Sequence, residues 1–466
     1  MPTTQRCRAG TAVSRGFAKL MRAAVVTLSL AAVAFGPASG QTSTTEVHPA
    51  AEPPDEQILS DAYTYLLSRL LVIRQEQIDS KAPDFAYNTI KYNPLGSADF
   101  VNPNFDVAYL EAWFAVDDDS AVILDVPEVK GRYYTTEILD EWGEVIVNIN
   151  ERTFPSKPYG KFALVKPGSK VAIPAAAARI ELHSAKAKML ARVELKDDPN
   201  GAVILQKQFK ATVVGTAHVE PPPKIAGFDN KALAGVDAFD NVDAIFASAL
   251  DVSPIAAEMQ QKVRAVAAYV ASSPQARTAI GNELRDHVVP EFEQYAFTKS
   301  APYRDHWVGG AQTGNYGKDF RLRTSVDYAG IWANVTDEVI YFIATRDAND
   351  KPLDGGSSYI IHFPADRLPN TVVNGYWSVI LVGVPDYRVV PNPLNRFNLN
   401  SYSPLKNASD GSLDIAIGPQ PVSGVPESNW LPSSPGKPFS LTFRTYVPKD
   451  AVKRGEWSPP AVKPAT

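Results

Sequence analysis

The sequence predicts a mainly β protein of the α+β class. Two antiparallel β-sandwich or jelly-roll-like modules are separated by a helical segment and preceded by one N-terminal helix. Short alternating or β-branched runs, punctuated by glycine and proline, fill residues 85–215 and return after residue 319. Ala-rich stretches of helical period lie between them. The 466 residues are 45% hydrophobic and 21% charged, enough for two or three domains with full cores.

The first forty residues are typical of an export signal. Five basic residues precede or begin an apolar run at 23–35, and Ala38-Ser39-Gly40 supplies a small-x-small cleavage motif. We therefore expect a cleaved signal peptide over 1–40, with cleavage near Gly40/Gln41, and a periplasmic or secreted protein. An uncleaved membrane anchor is the alternative.

Removal of this segment changes the composition of the mature chain. It takes away five basic and no acidic residues, which lowers the formal net charge from −5 to −10, and it takes away the only cysteine, Cys7. A chain without thiols forms no disulfide and no cysteine-ligated metal site. The acidic charge gives no electrostatic reason to expect nucleic acid as a partner. Beyond the signal, no apolar run is long enough to predict a stable membrane span.

The N-terminal module is predicted over 56–220. Residues 41–55 are a polar, flexible leader. Apolar residues then recur at helical spacing from Asp55 to Ser80, without glycine or proline, which predicts one helix that packs by one face. The strands that follow are predicted at 107–116, 120–126, 133–138, 145–149, 161–165, 179–182 and 188–195.

A helical connector is predicted over 221–305, after three consecutive prolines. Ser253-Pro254 and Ser273-Pro274 supply start signals for two of its three helices. A C-terminal β module over 306–460 and a coil tail over 461–466 complete the chain. The strands of this module are predicted at 338–345, 357–363, 376–382, 413–417 and 439–447.

Two ordered sets of short motifs resemble a bacterial exported family. The first set is Asn102-Pro103-Asn104-Phe105-Asp106-Val107-Ala108-Tyr109, Val126-Pro127, Gly131-Arg132-Tyr133-Tyr134 and Leu139-Asp140. The second includes Tyr316-Gly317, Tyr376-Trp377-Ser378, Asp410-Gly411-Ser412-Leu413, Asn429-Trp430-Leu431-Pro432 and Arg444 to Pro448. They resemble a DUF1254 module followed by a DUF1214 module, both of unassigned function, over most of residues 85–460. The resemblance implies a secreted or periplasmic protein with two mainly β modules, and it assigns no catalytic residue. Val107 stands where the family usually has threonine, so a hydroxyl is missing there.

The first motif supplies the candidate catalytic residues Asp106, Tyr109 and Arg132. Side chains two apart on a strand share a face, so Asn104 and Asp106 are expected to face a cleft, with Tyr109 on the opposite face. Arg132 and Tyr134 are expected in the same cleft, with Asn104 and Tyr134 as ligand-binding residues. A carboxylate there would act as a general base, and the arginine would fix an anionic group. The alternative is that the asparagine and aspartate cap a turn at the strand entrance.

The C-terminal module supplies further ligand-binding candidates, because tryptophan offers a flat apolar face and arginine a planar fork of donors. They are Trp377, Arg396, Asn429, Trp430 and Arg444. The alternative for them is internal packing, with Arg444 paired to Asp410 or Asp414. The loop at 347–354, rich in Asn and Asp, is either a β-turn or a calcium loop, and we favour the turn.

Familiar enzyme signatures are absent from the sequence. Its six histidines show no zinc-site spacing, and it has neither a Gly-x-Ser-x-Gly elbow nor a phosphate-binding glycine loop, so we expect no metal and no cofactor. Three functions stay open. The first is binding of a small-molecule or carbohydrate-type ligand; the second is a cofactor-independent hydrolase or lyase of the cell envelope; the third is a structural or assembly protein that packs into a homo-oligomer. Asp410 and Asp414 fit a glycosidase pair poorly, since four residues along a strand span about 13 Å.

Overall fold

The architecture was analysed in a computed structural model that describes residues 52–96 and 101–465. The predicted signal peptide, its cleavage site, Cys7 and most of the leader lie outside the described residues. The predicted first helix is present as α1 (Glu56–Asp79). Asp55 is its N-cap, because the Asp55 carboxylate accepts a hydrogen bond from Ile58 N at 2.7 Å. The expectation that α1 packs by one face is wrong, because every residue from 62 to 73 is buried. Its polar residues are buried with partners on other elements, such as Arg69 with Glu141.

Two sheets form the N-terminal β module. One has the strand order β1-β2-β8-β4-β5 and the other β7-β6-β3-β9, with all pairs antiparallel except β6 and β7. The strands are β1 (Lys91–Tyr92), β2 (Val107–Ala115), β3 (Ala121–Val126), β4 (Tyr134–Leu139), β5 (Val145–Ile149), β6 (Gly160–Val165), β7 (Ala178–Glu181), β8 (Lys186–Glu194) and β9 (Lys210–Val214). A short helix that the sequence did not predict, α2 (Pro199–Gln206), begins at Asp198, which accepts from Gly201 N.

The helical connector packs mainly against α1. Its helices are α3 (Val242–Ala247), α4 (Ala256–Ser272), α5 (Pro274–Glu283) and α6 (Val289–Thr298), with a π-helical turn at Leu284–Val288 joining the last two. The start signal at Ser273 is confirmed, since its hydroxyl accepts from Ala276 N at 3.0 Å. The start signal at Ser253 is two residues early, because α4 begins at Ala256 without a side-chain cap.

Two further sheets form the C-terminal β module, with strand orders β10-β11-β12-β18-β14-β15 and β17-β16-β13-β19. The strands are β10 (Tyr303–Arg304), β11 (Trp307–Gly309), β12 (Val339–Ala344), β13 (Tyr359–Phe363), β14 (Trp377–Gly383), β15 (Asn398–Asn400), β16 (Leu413–Gly418), β17 (Trp430–Pro432), β18 (Phe439–Tyr446) and β19 (Val462–Pro464). The helices are α7 (Phe320–Ala329) and α8 (Asp450–Lys453). The mainly β, two-module fold is therefore confirmed, although α7 was not predicted.

A central core joins the two modules into one compact unit. Along β2, Leu110 and Phe114 point into the core between the N-terminal sheets, whereas Tyr109 and Trp113 point into the central core. Tyr446 of β18 enters the central core from the C-terminal module. The large sheet of each module thus has both faces covered, and the contact between the modules is where polar side chains accumulate. In the described part of the chain, no helix has the length and apolar character needed to span a membrane.

Candidate functional site

A cavity of about 90 Å³ lies in the central core, between the two β modules. β2 and β8 contribute Tyr109 and Arg192, and β12 and β18 contribute Tyr341, Arg444 and Tyr446. The remaining wall is largely apolar and includes Leu322, Val326, Ala329, Trp332 and Ile343. Charged and phenolic donors therefore share one cavity with aliphatic side chains, as in sites for small amphipathic molecules.

Arg444 is the most informative residue of the cavity. It is 3% exposed, and its Nη2 donates to the carbonyl oxygens of Asn102 at 2.5 Å and Pro103 at 3.4 Å. Its Nε and Nη1 donate to none of the described residues, and no described carboxylate forms an ion pair with it. A buried charge is normally paired, because desolvation without a partner is costly. The guanidinium thus lines the cavity, and its Nε–H and Nη1–H groups have no acceptor among the described residues.

Arg192 brings a second guanidinium to the cavity from the opposite module. Its Nη1 donates to Glu137, its Nη2 donates to the Trp332 carbonyl at 3.2 Å, and its plane lies 5.6 Å from the Tyr109 ring centre. Glu137 compensates part of this charge, so the pair of arginines leaves the cavity positive.

Glu137 belongs to a group of three buried glutamates along β4 and the β4–β5 turn, which we call the hairpin glutamates. They are Glu137, Glu141 and Glu144. Burial raises the pKa of each to about 7, against the opposing charges of Arg192, Arg69 and Arg323 respectively. Near neutral pH these carboxyls therefore hold part of their protons, and for Glu137 this weakens the negative charge beside Arg192 of the cavity.

Two tyrosine hydroxyls add neutral donors. The Tyr446 oxygen accepts from Asn104 Nδ2 at 2.6 Å, and the Tyr341 oxygen accepts from Asn334 N at 3.2 Å. Because each oxygen already accepts an N–H, its own hydrogen points elsewhere and is available for donation. Burial raises the pKa of Tyr446 to about 12, while the charge of Arg444 opposes this shift, so the phenol is protonated at neutral pH.

Asp106 lies beside this cavity but not in its wall. Its Oδ1 accepts from Asn398 and Asn400, and its Oδ2 has no hydrogen-bond partner among the described residues. Burial raises its pKa, while the hydrogen bonds from Asn400 and Asn398 and the charge of Arg444 oppose the shift. Thus Asp106 is a buried group between the modules rather than an exposed base.

The predicted alternation of Asn104, Asp106 and Tyr109 is wrong. Because β2 begins only at Val107, the strand pattern does not reach back to residues 104 and 106. Instead Asn104 Oδ1 accepts from Asp106 N at 2.6 Å, a turn-capping bond, and Asn104 N donates to the Tyr109 hydroxyl at 3.1 Å. All three side chains therefore lie near the C-terminal module.

The structure does not bring Arg132 and Tyr134 into this site. Arg132 is bound by Asp198 at 3.0 Å and by backbone carbonyls of residues 194, 195 and 198. Tyr134 points into the N-terminal core, where its hydroxyl donates to the Pro158 carbonyl at 3.0 Å. The preceding residue, Tyr133, faces the C-terminal module and packs at 5.2 Å from the Tyr446 ring. Neighbouring strand residues face opposite sides, and the prediction chose the wrong member of this pair.

Most C-terminal candidates lie in packing or loop contacts rather than in the cavity. Trp377 stacks on Phe443 at 5.4 Å in the C-terminal core. Arg396 donates to the carbonyls of Glu427 and Trp430, both at 2.9 Å. The Trp430 indole donates to the Gly418 carbonyl at 2.9 Å.

Asn429 ties two loops together, because its amide donates to the carbonyls of Lys406 and Asp414. The suggested pairing of Arg444 with Asp410 or Asp414 is wrong. Asp414 binds His362 at 2.7 Å, and Asp410 accepts from Ser412. These side chains organise the outer sheet of the C-terminal module, and of the C-terminal candidates only Arg444 lines the cavity.

The loop at 347–354 is organised by its own backbone. Asp347 Oδ1 accepts from Asn349 N at 2.8 Å and from Lys351 N at 3.0 Å, as in an aspartate-capped turn. Within residues 52–96 and 101–465, no group of three or more His, Cys, Asp or Glu side chains is arranged to hold a metal ion.

Sequence reasoning missed Arg192, Trp332, Tyr341 and Tyr446. For Arg192 a signal was present, because it follows Met189-Leu190-Ala191 in a strand whose nine residues are all buried. A charge inside a buried strand needs a partner or a ligand, which is the same argument that applies to Arg444 in β18.

Comparison with known proteins gives the family context and the fold. Two models described as proteins of unknown function match the chain, DUF1254 over residues 85–213 and DUF1214 over residues 338–450. The VPA0106 protein from Vibrio parahaemolyticus is similar in structure, with a TM-score of 0.60, 20% identity, and coverage of 88% of this chain and 99% of that one. An uncharacterised protein from Burkholderia cenocepacia has a TM-score of 0.38 at 12% identity, covering 89% of this chain and 90% of that one. No curated protein matches the chain.

Proposed function

We propose that this chain, which carries a DUF1254 domain followed by a DUF1214 domain, is an exported binding protein. Its ligand is a short carboxylate, bound without a cofactor in the cavity between these two domains. The observation that carries the proposal is Arg444, a buried guanidinium with free donors and no ion pair among the described residues. A ligand carboxylate would supply a counter-charge in direct contact with this guanidinium, whereas Asp106 interacts with it without forming an ion pair.

The chemistry of the cavity supports a carboxylate in particular. A guanidinium presents parallel N–H groups that match two carboxylate oxygens, and such charge-assisted bonds are about twice as strong as neutral ones. The hydroxyls of Tyr341 and Tyr446 add donors, and Arg192 adds a second positive charge that Glu137 only partly offsets. This arrangement favours a monoanion.

The size of the cavity supports a short ligand. Its volume of about 90 Å³ is smaller than the ~150 Å³ of an engineered cavity that accommodates benzene. We therefore expect an acid of about two to four carbons. The aliphatic wall at Val326, Ala329 and Ile343 suits an alkyl group beside the carboxylate.

The alternative functions receive less support. Trp377, Trp430 and Tyr134 were predicted as ligand-binding residues, but Trp377 and Tyr134 lie in hydrophobic cores and the Trp430 indole donates to the Gly418 carbonyl. A hydrolase or lyase was expected to use Asp106, which does not line the cavity.

Export rests on the basic residues, apolar run and Ala38-Ser39-Gly40 of the first forty residues. Sequencing the N-terminus of the protein recovered from a periplasmic fraction tests that part, and a chain retaining residues 1–40 there would contradict it.

Calorimetric titration of the purified protein tests the ligand class. Acetate, propionate and butyrate are compared with acetamide, propionamide and butyramide, which match them in shape but carry no charge. We expect the acids to bind and the amides to bind at least tenfold more weakly, since a charge-assisted bidentate pair is lost.

Two variants locate the binding site. Arg444→Gln removes the unpaired guanidinium, and Arg396→Gln removes a guanidinium that also donates to two backbone carbonyls but lies outside the cavity. Binding is expected to be lost in the first and retained in the second. Absence of binding by the unmodified protein, or equal binding by Arg444→Gln, would reject the proposal.

A further inference from the structure

A second and larger cavity, of about 890 Å³, lies along the C-terminal end of α1 and β2. Its lining includes Ile78, Phe85, Tyr92, Trp113 and Lys188. Its volume is in the range of ordinary ligand pockets. It shares no lining residue with the carboxylate cavity, yet the two approach each other closely.

Two indole rings lie between the cavities. Trp332 lines the carboxylate cavity and Trp113 lines the larger one, and their rings meet edge to face with centres 5.8 Å apart. Lys188 Nζ lies 5.3 Å from the Trp113 ring centre and 5.8 Å from that of Trp332. Lys188 and Arg192 are four residues apart on β8 and share a face, so one strip of this strand passes both cavities.

Two unfavourable features accompany the position of Trp332: a strained backbone at the preceding residue and a buried indole N–H without a hydrogen-bond partner among the described residues. The preceding residue, Ile331, has a φ of 43°, which is unfavourable for a β-branched side chain. The Trp332 indole Nε1 is buried and has no hydrogen-bond partner among the described residues. Such strain and unpaired donors persist where the surroundings hold a residue in place, often at ligand sites.

We propose that Trp332 determines the length of the bound ligand by closing the carboxylate cavity against the larger one. With the indole in place, only a short acid fits beside Arg444. A smaller side chain joins the two spaces, and the alkyl chain of a longer unbranched acid then passes Trp113 into the larger cavity. This inference rests on the proposed function, because it concerns the ligand of the same site.

Chain-length profiles of Trp332 variants test the inference. Binding of straight-chain carboxylates from acetate to octanoate is measured by calorimetry for the unmodified protein, Trp332→Ala and Trp332→Phe. Trp377→Phe is the matched control, since Trp377 is buried in the C-terminal core and lines neither cavity. In the unmodified protein and the control, affinity is expected to stop rising at about two to four carbons. In Trp332→Ala it is expected to keep rising, by about fourfold for each added CH₂.

The possible outcomes separate this inference from the proposed function. If the unmodified protein binds short acids and both Trp332 variants keep the same length limit, the role of Trp332 is refuted while the carboxylate site stands. If the unmodified protein binds no carboxylate of any length, both are refuted. Should Trp332→Ala fail to fold, Trp332→Phe decides, and a limit extended by at least one carbon is the expected result.

Discussion

Two substitutions of Asp106 are expected to differ in their consequences for stability. In Asp106→Asn the side chain keeps an oxygen that accepts from Asn398 and Asn400, and it loses a carboxylate whose charge burial disfavours. In Asp106→Ala no acceptor is left, so the partly buried amide groups of Asn398 and Asn400 lose their partner. Asparagine is therefore expected to be tolerated and alanine to destabilise the protein.

The size of the difference follows from the number of unpaired donors. Each buried donor without a partner costs about 1–3 kcal/mol, and both amides are only partly buried, so the low end of this range applies to each and the alanine variant is expected to lose about 2 kcal/mol of unfolding free energy. The asparagine variant is expected to stay within about 1 kcal/mol of the unmodified protein, because both hydrogen bonds to Oδ1 are retained.

The effect of asparagine depends on pH, and its sign is fixed by the pKa shift. Burial raises the pKa of Asp106 above its ordinary value of 3.8, so the folded protein holds a proton that the unfolded chain has already released. The contribution of Asp106 to stability is therefore full below 3.8 and is lost as the pH rises through the raised pKa. Asparagine has no such proton, so its stability relative to aspartate is expected to increase with pH.

Urea unfolding followed by tryptophan fluorescence at pH 5 and pH 8 measures these differences for the three proteins. The reasoning is refuted if Asp106→Asn is as unstable as Asp106→Ala at both pH values. That result would mean that the ionised carboxylate itself is required, as a counter-charge for Arg444.

Three other perturbations are expected to give defined results. The hairpin glutamates have pKa values raised to about 7, so between about pH 4.5 and about pH 7 the folded protein holds protons that the unfolded chain has released. The urea concentration at the unfolding midpoint should therefore fall as the pH rises from about 4.5 to about 7. A midpoint that rises across this range would contradict the raised pKa values. Lys188→Met removes the buried ammonium from Glu111 and Asp79, which keep neutral donors such as Asn93 and Trp113, and should cost up to about 3–5 kcal/mol in urea unfolding. The exposed Lys161→Met should cost about 0–1 kcal/mol. Gly143→Ala would place a Cβ 2.5 Å from the Asp327 carboxylate. It should therefore lower the urea midpoint more than Gly168→Ala, because Gly168 has a similar positive φ but open space around it. Equal losses in the two variants would show that backbone strain alone is responsible.

The fold class was accessible from the sequence because it depends on local patterns. Strands separated by glycine and proline, and a long helical period in α1, are readable without knowing any tertiary contact. The helix α7 was missed although Asp319 caps it by accepting from Leu322 N at 2.9 Å. Its ten residues include Arg323 and Asp327, which are buried with polar partners, so the helix lacks a clear apolar stripe.

The site was only partly accessible from the sequence. Asp106 was selected as a carboxylate of the first motif, and Arg444 as an arginine of the C-terminal motifs with a planar fork of donors. Their surroundings were not predictable, since Arg444 binds the carbonyl of Asn102, a residue 342 positions earlier in the chain. Strand periodicity tells which face a side chain occupies, but not which sheet will cover that face.

Both faces of the β1-β2-β8-β4-β5 sheet are covered, one of them by the central core that the two domains share. This arrangement has a consequence for how the two domains can be exchanged between genes. Tyr109, Trp113 and Leu190 lie in the central core together with Ile380 and Tyr446, so the boundary between the two named domains exists in the sequence and not in the packing. Recombination that delivered one domain without the other would leave an aromatic and charged face open to water. A hybrid of halves from two relatives would need complementary partners on this face. From this shared packing we expect the two halves to be inherited together.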